Sequence, residues 1–197
     1  THTHCKVCRW VLSRNNHRCP TPFAYRLSGM MIETYVAPVS MKNRRGVGTS
    51  PEDQHLILPH EMFHCLHNAG EKLWQSSILG PVSIEEYWQH ERGLEWCRTH
   101  LALQRPGLLP MCVPFGMHGD EVQDQSTGKV LVLQWNSVLS RAPSMQSRWI
   151  FTVVDHRRMN GRQTLWDMMK IFTWSANIAF HGVFPATDHL GTQLSLK

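Results

Sequence analysis

Two hydrophobic periods alternate along this chain, and the places where one gives way to the other outline its elements. Three apolar runs have strand length: Cys112-Val113-Pro114-Phe115-Gly116-Met117, Val130-Leu131-Val132-Leu133 and Trp149-Ile150-Phe151-Thr152-Val153-Val154. Short runs bounded by turn residues read as buried strands, and residues 121–128 between the first two supply the Gln, Asp, Ser and Gly of a hairpin connection. Upstream the period is helical. Pro59 suits a first helical position, where a missing N–H costs nothing, and Met62, Phe63, Leu66 and Ala69 follow at helical spacing up to a stop at Gly70. A shorter pattern holds Leu73, Trp74, Ile78 and Leu79. Ser83-Ile84-Glu85-Glu86 then matches a capping box that opens a helix carrying Tyr87, Trp88, Leu94, Trp96 and Leu101 towards Gln104, before Arg105-Pro106-Gly107 breaks it.

After the third strand, residues 156–161 form a basic turn and Thr164 starts a long helix. Leu165, Trp166, Met168, Met169, Ile171, Phe172, Trp174, Ile178 and Phe180 cover most of its circumference, which predicts burial on several sides with every Trp and Met in the core. Residues 182–191 make a turn-rich exit. Residues 20–51, with Pro20, Pro22, Pro38, Pro51, Gly29, Gly46 and Gly48, read as loop-rich. The pattern predicts one α+β domain: an arm and loop over 1–51, then over 52–197 a helical region to about 105, an antiparallel three-stranded sheet and a buried helix.

At 197 residues the chain buries enough surface to fold without staples. No apolar run approaches the ~20 residues of a membrane span, so no membrane partner is expected, and the first residues lack a secretory core. The chain starts at Thr1, which leaves room for an upstream segment, and its last residues look cut rather than finished. Charge is uneven. Residues 1–50 hold eight Lys and Arg against Glu33 alone, a net +7, while the other 147 residues hold twelve bases and fourteen acids, a net −2. Such an arm suits a polyanion such as DNA, or serves as a solvated tail. Within it, Lys42, Arg44 and Arg45 are the candidate phosphate contacts, or part of an address signal.

Six cysteines at 5, 8, 19, 65, 97 and 112 do not form the dense framework of a small secreted domain, so reduced thiols and an intracellular setting are expected. Cys5, Cys8, His17 and Cys19 supply the four soft ligands of a tetrahedral Zn site, although His17-x-Cys19 is a cramped second half. Such a site would make the N-terminus a zinc-binding interaction module. The alternative is a frayed end whose thiols do nothing.

His60-Glu61-Met62-Phe63-His64 is a literal H-E-x-x-H. On a helix, residues four apart share a face, so His60 and His64 could hold one zinc while Glu61 polarises its water, with Glu85, Glu86 or Glu91 as third ligand; that makes a metallopeptidase. Against it, Pro59 puts the first ligand at the very start of the helix. Thirteen histidines raise the chance of an accidental match. The stripe His60, His64 and His67 also lies opposite Met62, Leu66 and Ala69, where a solvated face belongs.

An ordered set of motifs carries a resemblance over roughly 56–191: Leu58-Pro59-His60-Glu61, Glu86-Tyr87-Trp88, Val113-Pro114-Phe115-Gly116-Met117-His118-Gly119-Asp120, Leu133-Gln134-Trp135-Asn136-Ser137, Trp174-Ser175-Ala176-Asn177, and Gly182-Val183-Phe184-Pro185-Ala186-Thr187-Asp188. In that order they resemble a family of repeated reading frames of unicellular algae that look derived from mobile elements, similar in plan to transposases of the KDZ and Plavaka type. The resemblance implies a partial RNase H-like sheet, a nuclear setting and DNA as partner. It also implies that Asp120, which the apolar runs put at the tip of the first strand, is the first catalytic and metal-binding acid. In an active relative, a Mg or Mn pair held by several acids would drive phosphodiester transfer. Here the strand that should bring a second acid after Asp188 does not arrive before Lys197, and no spacing sets Asp124, Asp155 or Asp188 beside Asp120. On sequence alone, a bland strand-ending Asp remains the other reading of Asp120. The implied product is a catalytically incomplete, transposase-derived fragment with residual nucleic-acid affinity; no oligomeric state follows.

Overall fold

The computed structural model describes residues 24–27, 30–43, 47–91, 94–100, 104, 107, 109–123 and 128–194. Within them the chain is a mixture of helix and strand. It opens with strands β1 (Ala24–Leu27), β2 (Met30–Glu33), β3 (Tyr35–Lys42) and β4 (Thr49–Leu56), paired as two antiparallel hairpins. Helices α1 (Pro59–Asn68), α2 (Glu71–Trp74), α3 (Ile84–Glu91) and α4 (Glu95–Thr99) follow, and α2 runs on as a π-helix over Gln75–Leu79. Strands β5 (Phe115–Gln123), β6 (Lys129–Ser137) and β7 (Arg148–Asp155) then form an antiparallel sheet in that spatial order, with the short α5 (Ser144–Ser147) between the last two. The long α6 (Gly161–His181) ends on Gly182, whose φ of 66° suits glycine and whose N–H returns to Ile178 O.

Strands β6 and β7 and the long helix stand where the apolar runs predict them, each strand longer than its run, whereas β5 shares only residues 115–117 with the first run and continues through 121–123, expected as part of the connection. Asp120 therefore lies inside β5, opposite Val132, and not at a strand tip. The cause is β6, whose ladder continues across the polar residues as far as Gln123↔Lys129. Pro59 opens α1 as expected. Ser83 caps α3 through its Oγ, which accepts the Glu86 N–H at 3.0 Å. The expected helix reaching Gln104 is instead two short ones, α3 and α4.

The largest correction concerns residues 20–51, expected to be loop-rich; those numbered 1–23, 28–29 and 44–46 lie outside the described part. Strand β3 buries Ala37, Val39 and Met41 at 4 % exposure or less. Pro38 and Pro51 sit within strands because the register spares them. Ser40, opposite Pro51, donates its N–H to Asp167 Oδ2 (3.0 Å) and accepts from Thr164 Oγ1 (2.6 Å), so both its ladder groups point away from β4. Ser40↔Pro51 is thus a non-hydrogen-bonded pair, and so by the two-residue period is Pro38↔Asp53. The division expected at 51/52 falls inside β4.

Residues 54–57 meet the outer edge of β7: the Ile57 N–H donates to Phe151 O at 2.8 Å, Gln54 Nε2 to Val153 O at 3.1 Å, and Thr152 Oγ1 to His55 O at 2.8 Å. One core then runs from the β3–β4 hairpin through Met62 and Leu66 of α1 to Trp135, Trp149 and Phe151 of the sheet and Met168, Ile171 and Phe172 of α6. A separate small cluster seats Trp88 of α3 against Cys97 and Leu109. Gly80 ends the π-helix with its backbone pressed on Leu139, where any side chain would collide with the Leu139 carbonyl.

Helix α6 is not buried all round. Met168, Ile171, Phe172 and Ser175 face the core, whereas Trp166 is 62 % exposed and Phe180 is also exposed. Hydrophobic content alone could not reveal this, because a lone exposed aromatic adds to the apolar count wherever it points. Among the described residues no helix is long and apolar enough to cross a membrane.

Candidate functional site

On β5, Phe115 packs edge-on against Phe172 of α6 (5.9 Å between rings), so odd-numbered residues face that helix and even-numbered ones face away. Asp120 belongs to the second set, exposed on a strand whose one neighbour among the described residues is β6. On the same face His118 Nε2 is hydrogen-bonded to Asn136 Oδ1, and Gln134 lies opposite His118. Glu121, on the other face, is exposed and ion-paired to Lys129 and His156, both at 3.1 Å. The hydrogen bond and charge of Lys129, with His156 adding, hold the Glu121 carboxyl below its ordinary range.

The other acids are engaged elsewhere. Asp155 ends β7 opposite Val130, two strands from Asp120, and accepts the N–H, Nε and Nη2 donors of Arg157 at 3.0–3.1 Å. Burial alone would raise its pKa, but those bonds bring it below the carboxylate norm. Asp188 lies in the turn after α6 and accepts the N–H groups of Leu190 and Thr192, both at 2.8 Å. Asp124 is outside the described residues. Glu121 next to Asp120 is turned to the other face and paired, no metal-holding cluster forms among the described residues, and a single carboxylate does not fit a two-metal centre.

The H-E-x-x-H helix resolves differently from its sequence pattern. His60 is 8 % exposed, not solvated: the first turn of α1 packs under the C-terminal half of α6, and Ser175 Oγ lies 2.8 Å from His60 Nδ1 while accepting the His60 N–H at 3.2 Å. Burial lowers the His60 pKa to about 4, so the ring is neutral near pH 7. His64 and His67 are exposed as the helical wheel predicts, and His64 Nε2 bonds Asn68 at 2.9 Å. Phe184 meets both motif imidazoles edge-on, at 6.2 Å for His60 and 5.5 Å for His64. Glu61 is half-buried, and burial, with Glu33 nearby, raises its pKa. Trp88 ties α3, which holds Glu85, Glu86 and Glu91, to the other cluster. Among the described residues no three His, Cys, Asp or Glu side chains converge to hold a metal. With no third His, Cys, Asp or Glu converging on them among the described residues, this pair does not fit a zinc centre, which needs at least three protein ligands.

Cys5, Cys8, His17, Cys19, Arg44 and Arg45 lie outside the described residues. Lys42 is exposed at the end of β3, next to the start of α6: Met41 bridges Met159, and Arg158 donates to Lys42 O at 3.4 Å. The feature that sequence reasoning missed is close by. Arg162, Trp166 and Lys170 lie on one exposed stripe of α6, a spacing of four that was legible once Trp166 was not assigned to the core. Comparison with family models, characterised proteins and solved structures finds no match to this chain.

Proposed function

We propose that this chain is a transposase-derived, nucleic-acid-associated protein whose single positioned acid does not assemble a catalytic metal pair. The observation that carries the reading is the order of elements around Asp120: three antiparallel strands followed by a long helix, with the carboxylate inside the first strand, which is an edge strand among the described residues. An RNase H-like core begins with the same succession. The lack of a metal-holding cluster around Asp120 among the described residues, with Glu121 turned to the other face, supports incompleteness, because a metal pair needs several carboxylates to set its spacing and neutralise its charge. The +7 of residues 1–50 supports association with a polyanion.

The test pairs binding with cleavage. The chain is expected to bind DNA with an affinity that falls as salt rises, and to leave the DNA intact in Mg or Mn. Metal-dependent cleavage abolished by Asp120→Ala would overturn incompleteness, and absence of binding at low salt would overturn the association.

A further inference from the structure

Trp166 is the most exposed tryptophan among the described residues, at 62 %. Its neighbours along the stripe are Arg162 and Lys170, one turn before and one turn after, both exposed, with Gln163, Thr173 and the half-buried Met169 beside them. Lys170 Nζ lies 6.0 Å from the centre of the indole ring, the outer reach of a cation–π contact. The acid on this part of α6, Asp167, is turned back into the fold, where it accepts from the Ser40 N–H (3.0 Å) and Gln163 Nε2 (2.8 Å); its approach to Lys170 is a loose 3.9 Å. Arg162 has no acidic partner among the described residues. The exposed Lys42 lies at the same end of the helix as Arg162, because β3 is bonded to the first turns of α6 through Ser40.

A single exposed ring needs no cover for the sake of the fold, and it is the charge on either side that says which ligand would suit it. A docking protein surface would call for a contiguous apolar patch, whereas here one aromatic ring stands between two cations. A single-stranded nucleic acid has the matching parts: a flat base that stacks on the ring, and a phosphate on either side of that base. The two cations are eight residues apart on the helix, about 12 Å, with the ring between them.

We propose that the outer stripe of α6 is a stacking site for single-stranded nucleic acid, with Trp166 holding a base and Arg162 and Lys170 its flanking phosphates. The inference deepens the nucleic-acid reading above and rests on it for the class of ligand. It assigns a contact to α6 that neither Asp120 nor the basic N-terminal arm supplies.

The test is titration of a labelled oligothymidylate with the full chain, alongside Trp166→Ala, Trp166→Phe and the double variant Arg162→Ala/Lys170→Ala. Trp166→Ala is expected to weaken binding about tenfold, the usual effect of losing one stacked base, while Trp166→Phe keeps most of the affinity. The double variant should lower the slope of log affinity against log salt by about 1.4, at roughly 0.7 per lost phosphate contact on a single strand. Part of the tryptophan emission should be quenched on binding, and that part should vanish in Trp166→Phe. Equal binding by wild type and Trp166→Ala, with folding confirmed by matching thermal melts, would overturn the stacking site while leaving nucleic-acid association standing. No binding by the wild type would overturn both. A Trp166→Ala variant that loses self-association but keeps its oligothymidylate affinity would show that the ring is a protein contact, which also overturns the site.

Discussion

Helix α6 carries two tryptophans two turns apart, and their surroundings differ. Trp174 is half-buried, tilted against Tyr35 at 5.6 Å and edge-on to the buried His60 at 5.7 Å, while Tyr35 Oη is hydrogen-bonded to His189 Nδ1 at 2.6 Å. Trp166 stands in solvent between two cations. The residue type is the same and the helix is continuous, so what separates them is the partner each side is offered. The inner side of α6 meets the sheet and α1, and everything on it is packed or hydrogen-bonded. The outer side meets nothing among the described residues, and its large aromatic is free to bind. A helix of this kind divides stability and recognition between opposite faces, and that division can be tested.

The largest effect is expected from the inner face. Phe172 is 7 % exposed and packs edge-on against Phe115 and Phe151, with ring centres 5.9 and 5.2 Å apart. Phe172→Ala should cost about 3–5 kcal/mol in denaturant unfolding, the range for removing a buried phenyl ring. A loss below about 1 kcal/mol would mean that α6 is not held by this face.

Next comes the histidine under the same face. The His60 pKa is 6.5 in an unfolded chain and about 4 in the fold, because burial disfavours the imidazolium. Between these values the unfolded state takes up a proton that the folded state refuses. The His60 contribution is therefore complete above pH 6.5, is lost as pH falls towards 4, and changes no further below that. The total is about 3 kcal/mol. Acids held below their usual range, such as Asp155, also lose stability on acidification, so the comparison must be with His60→Gln. Unfolding at pH 7 and pH 4.5 should show a steeper acid loss in the wild type than in the variant. Parallel profiles would remove His60 as the source.

Smaller again is the seam between α6 and β3. Thr164 Oγ1 accepts the Asn160 N–H at 2.7 Å and donates to Ser40 O at 2.6 Å, and the residue is fully buried. Thr164→Val keeps the shape and leaves both backbone partners unpaired, which should cost about 1–3 kcal/mol. If the cost is near zero, water reaches this seam and the outer face begins closer to β3 than the packing indicates.

The sequence was legible wherever a local rule was enough. Apolar runs located β6 and β7 and the start of β5, Pro59 marked the start of α1, and Ser83 marked the cap of α3, because each signal depends on neighbours in the chain. It was opaque where the deciding partner is remote. Pro38 and Pro51 looked like loop residues because their exemption from the ladder depends on the β3–β4 register and on Asp167 and Thr164, more than a hundred residues away. His60 looked solvated because the wheel of α1 does not include the C-terminal half of α6, where Ser175 waits for it. Asp120 was legible as a strand carboxylate, but its setting on an edge strand among the described residues, two strands from Asp155, required the sheet. Trp166 was misassigned because the number of apolar residues on a helix does not say how many of its sides have something to pack against.

The smallest expected change in stability is the one that most sharply divides the two faces. Trp166→Ala removes a whole indole from the helix that Phe172 anchors. Yet with 62 % of the residue already in water, its loss should shift unfolding by no more than about 0.5 kcal/mol, the range of ordinary surface positions. Alanine's higher helix propensity offsets part of whatever contact is lost with Lys170. A core tryptophan treated the same way would cost several kcal/mol, so a thermal melt separates the cases without any ligand. If Trp166→Ala unfolds like the wild type, the ring is not retained for the fold, and its loss of oligothymidylate affinity can be read as recognition alone. If it costs more than about 1.5 kcal/mol, the outer face is structural after all and the division of labour along α6 fails.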